Sequence, residues 1–159
     1  MKNVIKDNAA GPVQVSVQYV SKAAGLPEAA AFSEWVTAAL DGLADPVEVV
    51  VRIVDEEESA RLNETYRDKA GPTNVLSFSL DTPPEVDVPL LGDLVICAPL
   101  IRMEAEEQNK QELAHWAHIV VHGVLHLLGY DHDEPKSAER MERQEVEILE
   151  RLGYGDPYV

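Results

Sequence analysis

Apolar and polar residues alternate strictly through Val13-Gln14-Val15-Ser16-Val17-Gln18-Tyr19, the period of a strand with one buried face. Beyond Pro27 the spacing changes. Phe32, Trp35, Val36, Ala39 and Leu40 recur at helical intervals, which predicts a helix from Pro27 to about Leu40 with this stripe turned to the core. Asp41-Gly42 supplies its stop. Val47 to Val54, after Asp45-Pro46, is a β-branched run and predicts a central strand. Asp55 and Glu58 have the offset of a capping pair, ahead of a short helix from Glu56 to about Tyr66. Lys69-Ala70-Gly71-Pro72 predicts a loop, and Asn74 to Leu80 an alternating strand with one polar face. Asp81 to Pro89 predicts an exposed loop, and Leu90 to Cys97 a further strand interrupted at Gly92-Asp93. From Ala98 onward the pattern is helical, with breaks near Asn109, at Gly129 and at Gly153.

This order predicts an α+β fold: a single domain over residues 1–159, with a mixed sheet of about four strands packed with about five helices. Two strand–helix–strand crossovers should make part of the sheet parallel. The length of 159 residues suits one domain and is short for two. No run approaches the roughly 20 apolar residues of a membrane helix, and the first residues lack the apolar core of a secretion signal. The lone Cys97 excludes an internal disulfide and a cysteine-based zinc knuckle. A cytoplasmic setting with no membrane partner is the expectation. The net charge of −16 argues against coating a nucleic acid by broad attraction, since that needs many Lys and Arg contacts. Any basic contact to a nucleic acid must be local or supplied by a partner.

All five histidines fall between positions 115 and 132. On a helix His115, His118, His122 and His126 lie within an arc of roughly 80°. Leu113, Trp116, Val120, Val124 and Leu127 occupy the opposite, core-facing side. One tetrahedral ion cannot span the stripe, because His115 and His122 are about 10 Å apart along the axis. An i, i+4 pair can share an ion, and two such pairs exist: His118/His122 and His122/His126. Gly129 decides between them, since a left-handed turn there brings His132 back to the helix end beside His126 and His122. The predicted metal ligands are therefore His122, His126 and His132, with a metal site at a helix end. Three protein ligands leave a fourth position open, the arrangement of a catalytic zinc. His118 is expected to hydrogen-bond rather than ligate, and His115 to lie near the surface end of the helix. Asp131 and Asp133 flank the third histidine and are expected to cap a turn or face solvent.

The metzincin proteases share the offsets of the three histidines and the glycine, in H-E-x-x-H-x-x-G-x-x-H. Here Gly123 stands in place of the glutamate that serves those enzymes as general base. The metal site survives this change; the peptidase's proton acceptor does not.

Three blocks extend the pattern: Leu62-Asn63-x-x-Tyr66-Arg67-x-Lys69 with Pro72-Thr73-Asn74-Val75-Leu76-Ser77-Phe78; Leu91-Gly92-Asp93-Leu94-Val95-Ile96-Cys97; and His122-Gly123-x-Leu125-His126-Leu127-x-Gly129-Tyr130-Asp131-His132. With the ending Leu152-Gly153-Tyr154 and Asp156-Pro157-Tyr158, they resemble the YbeY family of bacterial endoribonucleases, which mature ribosomal RNA. Ala70 departs from the charged residue more usual there. The resemblance implies one metal ion, usually taken as zinc, on the three histidines. It also implies a functional arginine at Arg67, with single-stranded RNA or rRNA as substrate and the ribosome or ribosomal proteins as partners. A guanidinium at Arg67 can hold two phosphate oxygens at once. Arg61 and Lys69 can add local positive potential, and Tyr66 and Phe78 can stack a base, although Phe78 better suits the core. Two rival expectations are a zinc metallohydrolase of peptidase type and a non-enzymatic ribosome assembly factor with a structural metal.

Overall fold

Alternation along β2 (Val13–Tyr19) and β3 (Val47–Val54) sends successive side chains to opposite faces of one sheet, and each face acquires its own helices. The computed structural model describes residues 3–7, 13–41, 46–80 and 90–159. The expected stop at Gly42 and the expected loop at 81–89 lie outside them. The sheet has five strands in the order β1-β2-β3-β5-β4, with β4 at Val75–Ser79 and β5 at Leu90–Cys97. Its extra edge is β1 (Asn3–Asp7), antiparallel to β2, a segment too short to show an alternation in sequence. The helices are α1 (Ala29–Ala39), α2 (Glu56–Arg67), α3 (Ala98–Glu107), α4 (Glu112–Leu127) and α5 (Pro135–Arg151). The α+β class and the five helices agree with the sequence reading.

The crossover through α1 is parallel, as expected: β2 pairs with β3 in that sense. The second expected crossover is not. After α2 the chain enters β4 at the edge, and β5 returns antiparallel to it and parallel to β3. β5 thereby takes the position between β3 and β4. Gly92-Asp93 does not interrupt it; the irregularity is a register shift against Glu48 and Val49.

Val49, Val51 and Ile53 of β3, with Leu94 and Ile96 of β5, point into the larger core with α1, α4 and α5. Phe32 sets its ring edge-on to Trp35 and Trp116, with centroids 5.3 and 5.7 Å apart. All five apolar positions predicted to face inward from α1 are buried. On the other face Val54, Leu76 and Val95 form a smaller cluster under Leu62 of α2. Arg52 on that face pairs with Glu58 at 2.5 Å, fastening the first turn of α2 to the sheet. Asp55 makes no side-chain cap; its carboxylate instead takes hydrogen bonds from the Ser21 hydroxyl and the Lys22 N–H. Two polar residues buried on α2 hold the next loop. Ser59 Oγ donates to Thr73 O at 2.9 Å and Asn63 Nδ2 donates to Gly71 O at 2.9 Å. The loop so held feeds directly into β4.

Candidate metal centre

α4 packs on β4 and β5 and is flanked by α1, α3 and α5, so its histidine stripe meets protein along most of its length. His115 is buried at 3 % exposure, against the expectation of a surface position. Its Nε2 lies 2.8 Å from Glu104 Oε1 of α3. Burial holds its pKa below the usual histidine value despite that carboxylate. Leu113, expected in the core, is instead 49 % exposed in the first turn of α4.

The other end of α4 behaves as its glycine predicts. Gly129 has φ of 99°; its N–H donates to His126 O and that of Tyr130 donates to Leu125 O, both at 3.0 Å. This is the paired closure of a Schellman turn. Tyr130 packs against the core and the chain doubles back. The Nε2 atoms of His122 and His126 stand 3.2 Å apart, and the imidazoles of His122, His126 and His132 offer ligand atoms all within 4.8 Å of one another. Two nitrogens on one tetrahedral zinc stand about 3.3 Å apart, given Zn–N bonds of about 2.0–2.1 Å. The donor set therefore fits a metal ion, and the three predicted positions are the ones the fold brings together. His132 is exposed, which leaves the cluster open on the solvent side. Burial, then repulsion from its two neighbours, lowers the pKa of His126, so its ring nitrogen stays free to ligate down to lower pH. Asp131 accepts a backbone hydrogen bond from Asp133, as a turn residue does.

Position 123 faces the sheet. Ser77 Oγ of β4 donates to Gly123 O at 3.0 Å, and a Cβ at Gly123 would stand 2.9 Å from Leu94 Cδ2 and 3.4 Å from Ser77 Oγ. Gly123 thus lets α4 lie close against the sheet, and a side chain there would enter the core rather than reach the imidazoles. Gly123→Glu is expected to destabilise the protein by about 3 kcal/mol or more, from overpacking and a buried carboxylate, and to create no peptidase. Urea unfolding and a casein assay check both halves.

Arg67 ends α2 on the far side of the same groove. The groove holds about 450 Å³ and is lined by Arg67, Lys69, Ser77, His122, His126 and His132, among others. Arg67 Nη2 donates to Ser77 O at 2.8 Å, and the guanidinium lies 5.3 Å from the Phe78 ring centroid. Tyr66 is 59 % exposed and meets Phe78 edge-on, with centroids 5.3 Å apart. Arg61 is exposed on α2 and does not line the groove.

The sequence motifs pass over Glu145 of α5. It is 1 % exposed and accepts from His118 Nε2 at 2.6 Å, His122 Nδ1 at 3.1 Å and the Tyr158 hydroxyl at 2.7 Å. Burial works to raise its pKa, yet the three hydrogen bonds prevail and hold it at about 2. Burial and this carboxylate raise the pKa of Tyr158. His118 is a hydrogen-bonding residue, as expected.

A mixed sheet backed by a helix that turns three imidazoles toward an open groove, opposite an arginine, defines an α+β protein with a histidine cluster able to hold a metal ion. The family model described as "Endoribonuclease YbeY" matches residues 11–153. An endoribonuclease YbeY from Nitrosococcus oceani is 53 % identical over 148 residues, 92 % of this chain and 97 % of that one. A solution structure of a Thermotoga maritima protein superposes with a TM-score of 0.59 at 27 % identity, covering 86 % of this chain and 88 % of that one. The chain belongs to the YbeY endoribonuclease family. Among the described residues no helix is long and apolar enough to cross a membrane.

Proposed function

We propose that the chain is a zinc-dependent endoribonuclease that cleaves phosphodiesters of single-stranded RNA. On this reading residues 1–159 act as one domain in the cytoplasm. It serves rRNA maturation at the 3′ end of the small-subunit rRNA and ribosome quality control. The observation that carries the reading is a shared groove: the three imidazoles and the Arg67 guanidinium line one cleft open to solvent. When bound, zinc supplies Lewis acidity that polarises a phosphoryl oxygen and acidifies water.

The chain's own residues do the rest. His122, His126 and His132 would hold the ion, at the wall of the groove that Arg67 shares. Arg67 binds the scissile phosphate through a forked pair of N–H donors and stabilises the charge that builds there. Tyr66 offers an exposed ring to an unpaired base, while Phe78 packs on the small apolar cluster and braces both Tyr66 and Arg67. Lys69 adds positive charge at the groove wall. The net charge of −16 supports recruitment to rRNA by the ribosome or ribosomal proteins, with basic contacts confined to this cleft.

Chelator-stripped protein reloaded with zinc is expected to cut an end-labelled single-stranded RNA. It should leave the same sequence in a duplex intact and lose cleavage on renewed chelation. Zinc-loaded protein that binds the RNA without cutting it would favour an assembly factor with a structural ion.

A further inference from the structure

Glu145 stands on the face of α5 that carries Met141, Ile148 and Leu149 into the core. A carboxylate in that row needs donors, and it finds three from two different parts of the chain. Oε2 faces His122 Nδ1 at 3.1 Å, while Oε1 faces His118 Nε2 at 2.6 Å and the Tyr158 hydroxyl at 2.7 Å. An ionised carboxylate only accepts, so Nδ1 of His122 carries the hydrogen. The lone pair of His122 is then left on Nε2, the atom 3.2 Å from His126 Nε2. Tyr158 is itself secured by its neighbours: Lys110 Nζ donates to Pro157 O at 2.5 Å, and the Tyr158 N–H donates to Asp156 Oδ1 at 2.8 Å.

We propose that Glu145 is a positioning residue of the metal centre. It fixes the tautomer and ring plane of His122, and His118 and Tyr158 fix the carboxylate from behind. The proposal rests on the reading that His122, His126 and His132 hold the ion. It adds that the segment carrying Tyr158 contributes to metal affinity from outside the RNA groove. Orientation by an outer carboxylate raises ligand basicity, and its loss typically weakens metal binding by about 10–100-fold.

The test measures zinc affinity of the full chain by competition with a chromophoric chelator at one fixed pH, with no RNA present. Glu145→Gln keeps the volume and removes the charge; its affinity is expected to fall about 10-fold or more. The ligand-field bands of its cobalt form should shift, while the circular dichroism of the metal-free protein stays native. Tyr158→Phe removes one donor from the far oxygen and is expected to weaken binding about two- to fivefold. A folded Glu145→Gln protein that binds zinc within twofold of the parent overturns the proposal. Should Glu145→Gln fail to fold, unchanged affinity in folded Tyr158→Phe and His118→Asn proteins overturns it equally. A parent chain that binds no zinc overturns the metal reading itself, a result separate from equal binding by parent and variant.

Discussion

Replacing His126 by alanine is expected to lower zinc-dependent RNA cleavage at least about 10³-fold, an effect of roughly 4 kcal/mol on the barrier. His126 is the middle member of the cluster: its ring centroid lies 4.7 Å from that of His122 and 5.1 Å from that of His132. Without it, two imidazoles remain, and the ion loses both affinity and a fixed orientation over the groove. The fold should survive, because α4 packs into the core through apolar residues such as Trp116, Val120, Val124 and Leu127 and not through the histidines at this end. The variant is expected to unfold near the metal-free parent's midpoint while binding zinc far more weakly. Glu139→Ala, on an exposed face of α5 outside the groove, is the matched control and should cleave at the parent rate. Equal cleavage by parent and His126→Ala preparations would point to a contaminating nuclease.

Much of this centre can be read from sequence because its determinants are local. Two histidines four residues apart on one helix, a glycine that must turn left-handed, and a third histidine beyond it are all short-range facts. The backbone bonds at Gly129 and Tyr130 make them geometry. The strands Val47–Val54 and Leu90–Cys97 keep the bounds that their apolar runs suggest. What escapes is tertiary. His115 is buried because α3 brings Glu104 to it, a partner that a helical projection of α4 cannot contain. Leu113 is exposed because neighbouring elements do not cover the first turn of α4 on that side. Asp55 has the sequence of a cap and serves instead to tie down Ser21 and Lys22. The insertion of β5 between β3 and β4 is likewise a matter of pairing, which periodicity does not encode.

Glu145 differs from these, because the sequence does hold a signal for it. Met141, Glu145, Ile148 and Leu149 share the buried face of α5, so a charge sits in the middle of an apolar stripe. A buried carboxylate without partners costs several kcal/mol, and this position therefore demands donors from elsewhere in the chain. The histidine stripe of α4 is the richest source of them. Taken together, the two stripes imply that α5 packs against α4, and the hydrogen bonds of Glu145 to His118 and His122 are that packing.

Arg67→Ala is expected to reduce cleavage about 10²–10³-fold, roughly 3–4 kcal/mol, while zinc affinity and stability stay at parent values. The separation follows from where the residue sits. Arg67 is exposed at the end of α2 and is fastened through a hydrogen bond to Ser77 O and the face of Phe78, neither of which belongs to the imidazole cluster. Those contacts aim the guanidinium along the groove wall, so little rotamer freedom remains to be lost when a phosphate arrives. Surface removal of this kind changes stability by no more than about 0.5 kcal/mol. Because the developing negative charge is greatest in the transition state, the loss should fall mainly on kcat rather than KM. Arg67→Lys separates charge from geometry. An ammonium restores a positive charge without the planar fork that spans two oxygens, so partial recovery, about tenfold above alanine, is the expected result. Full recovery by lysine would reduce the role of Arg67 to local potential. No loss in alanine would remove the guanidinium from the reaction and leave phosphate binding to Lys69 and the ion.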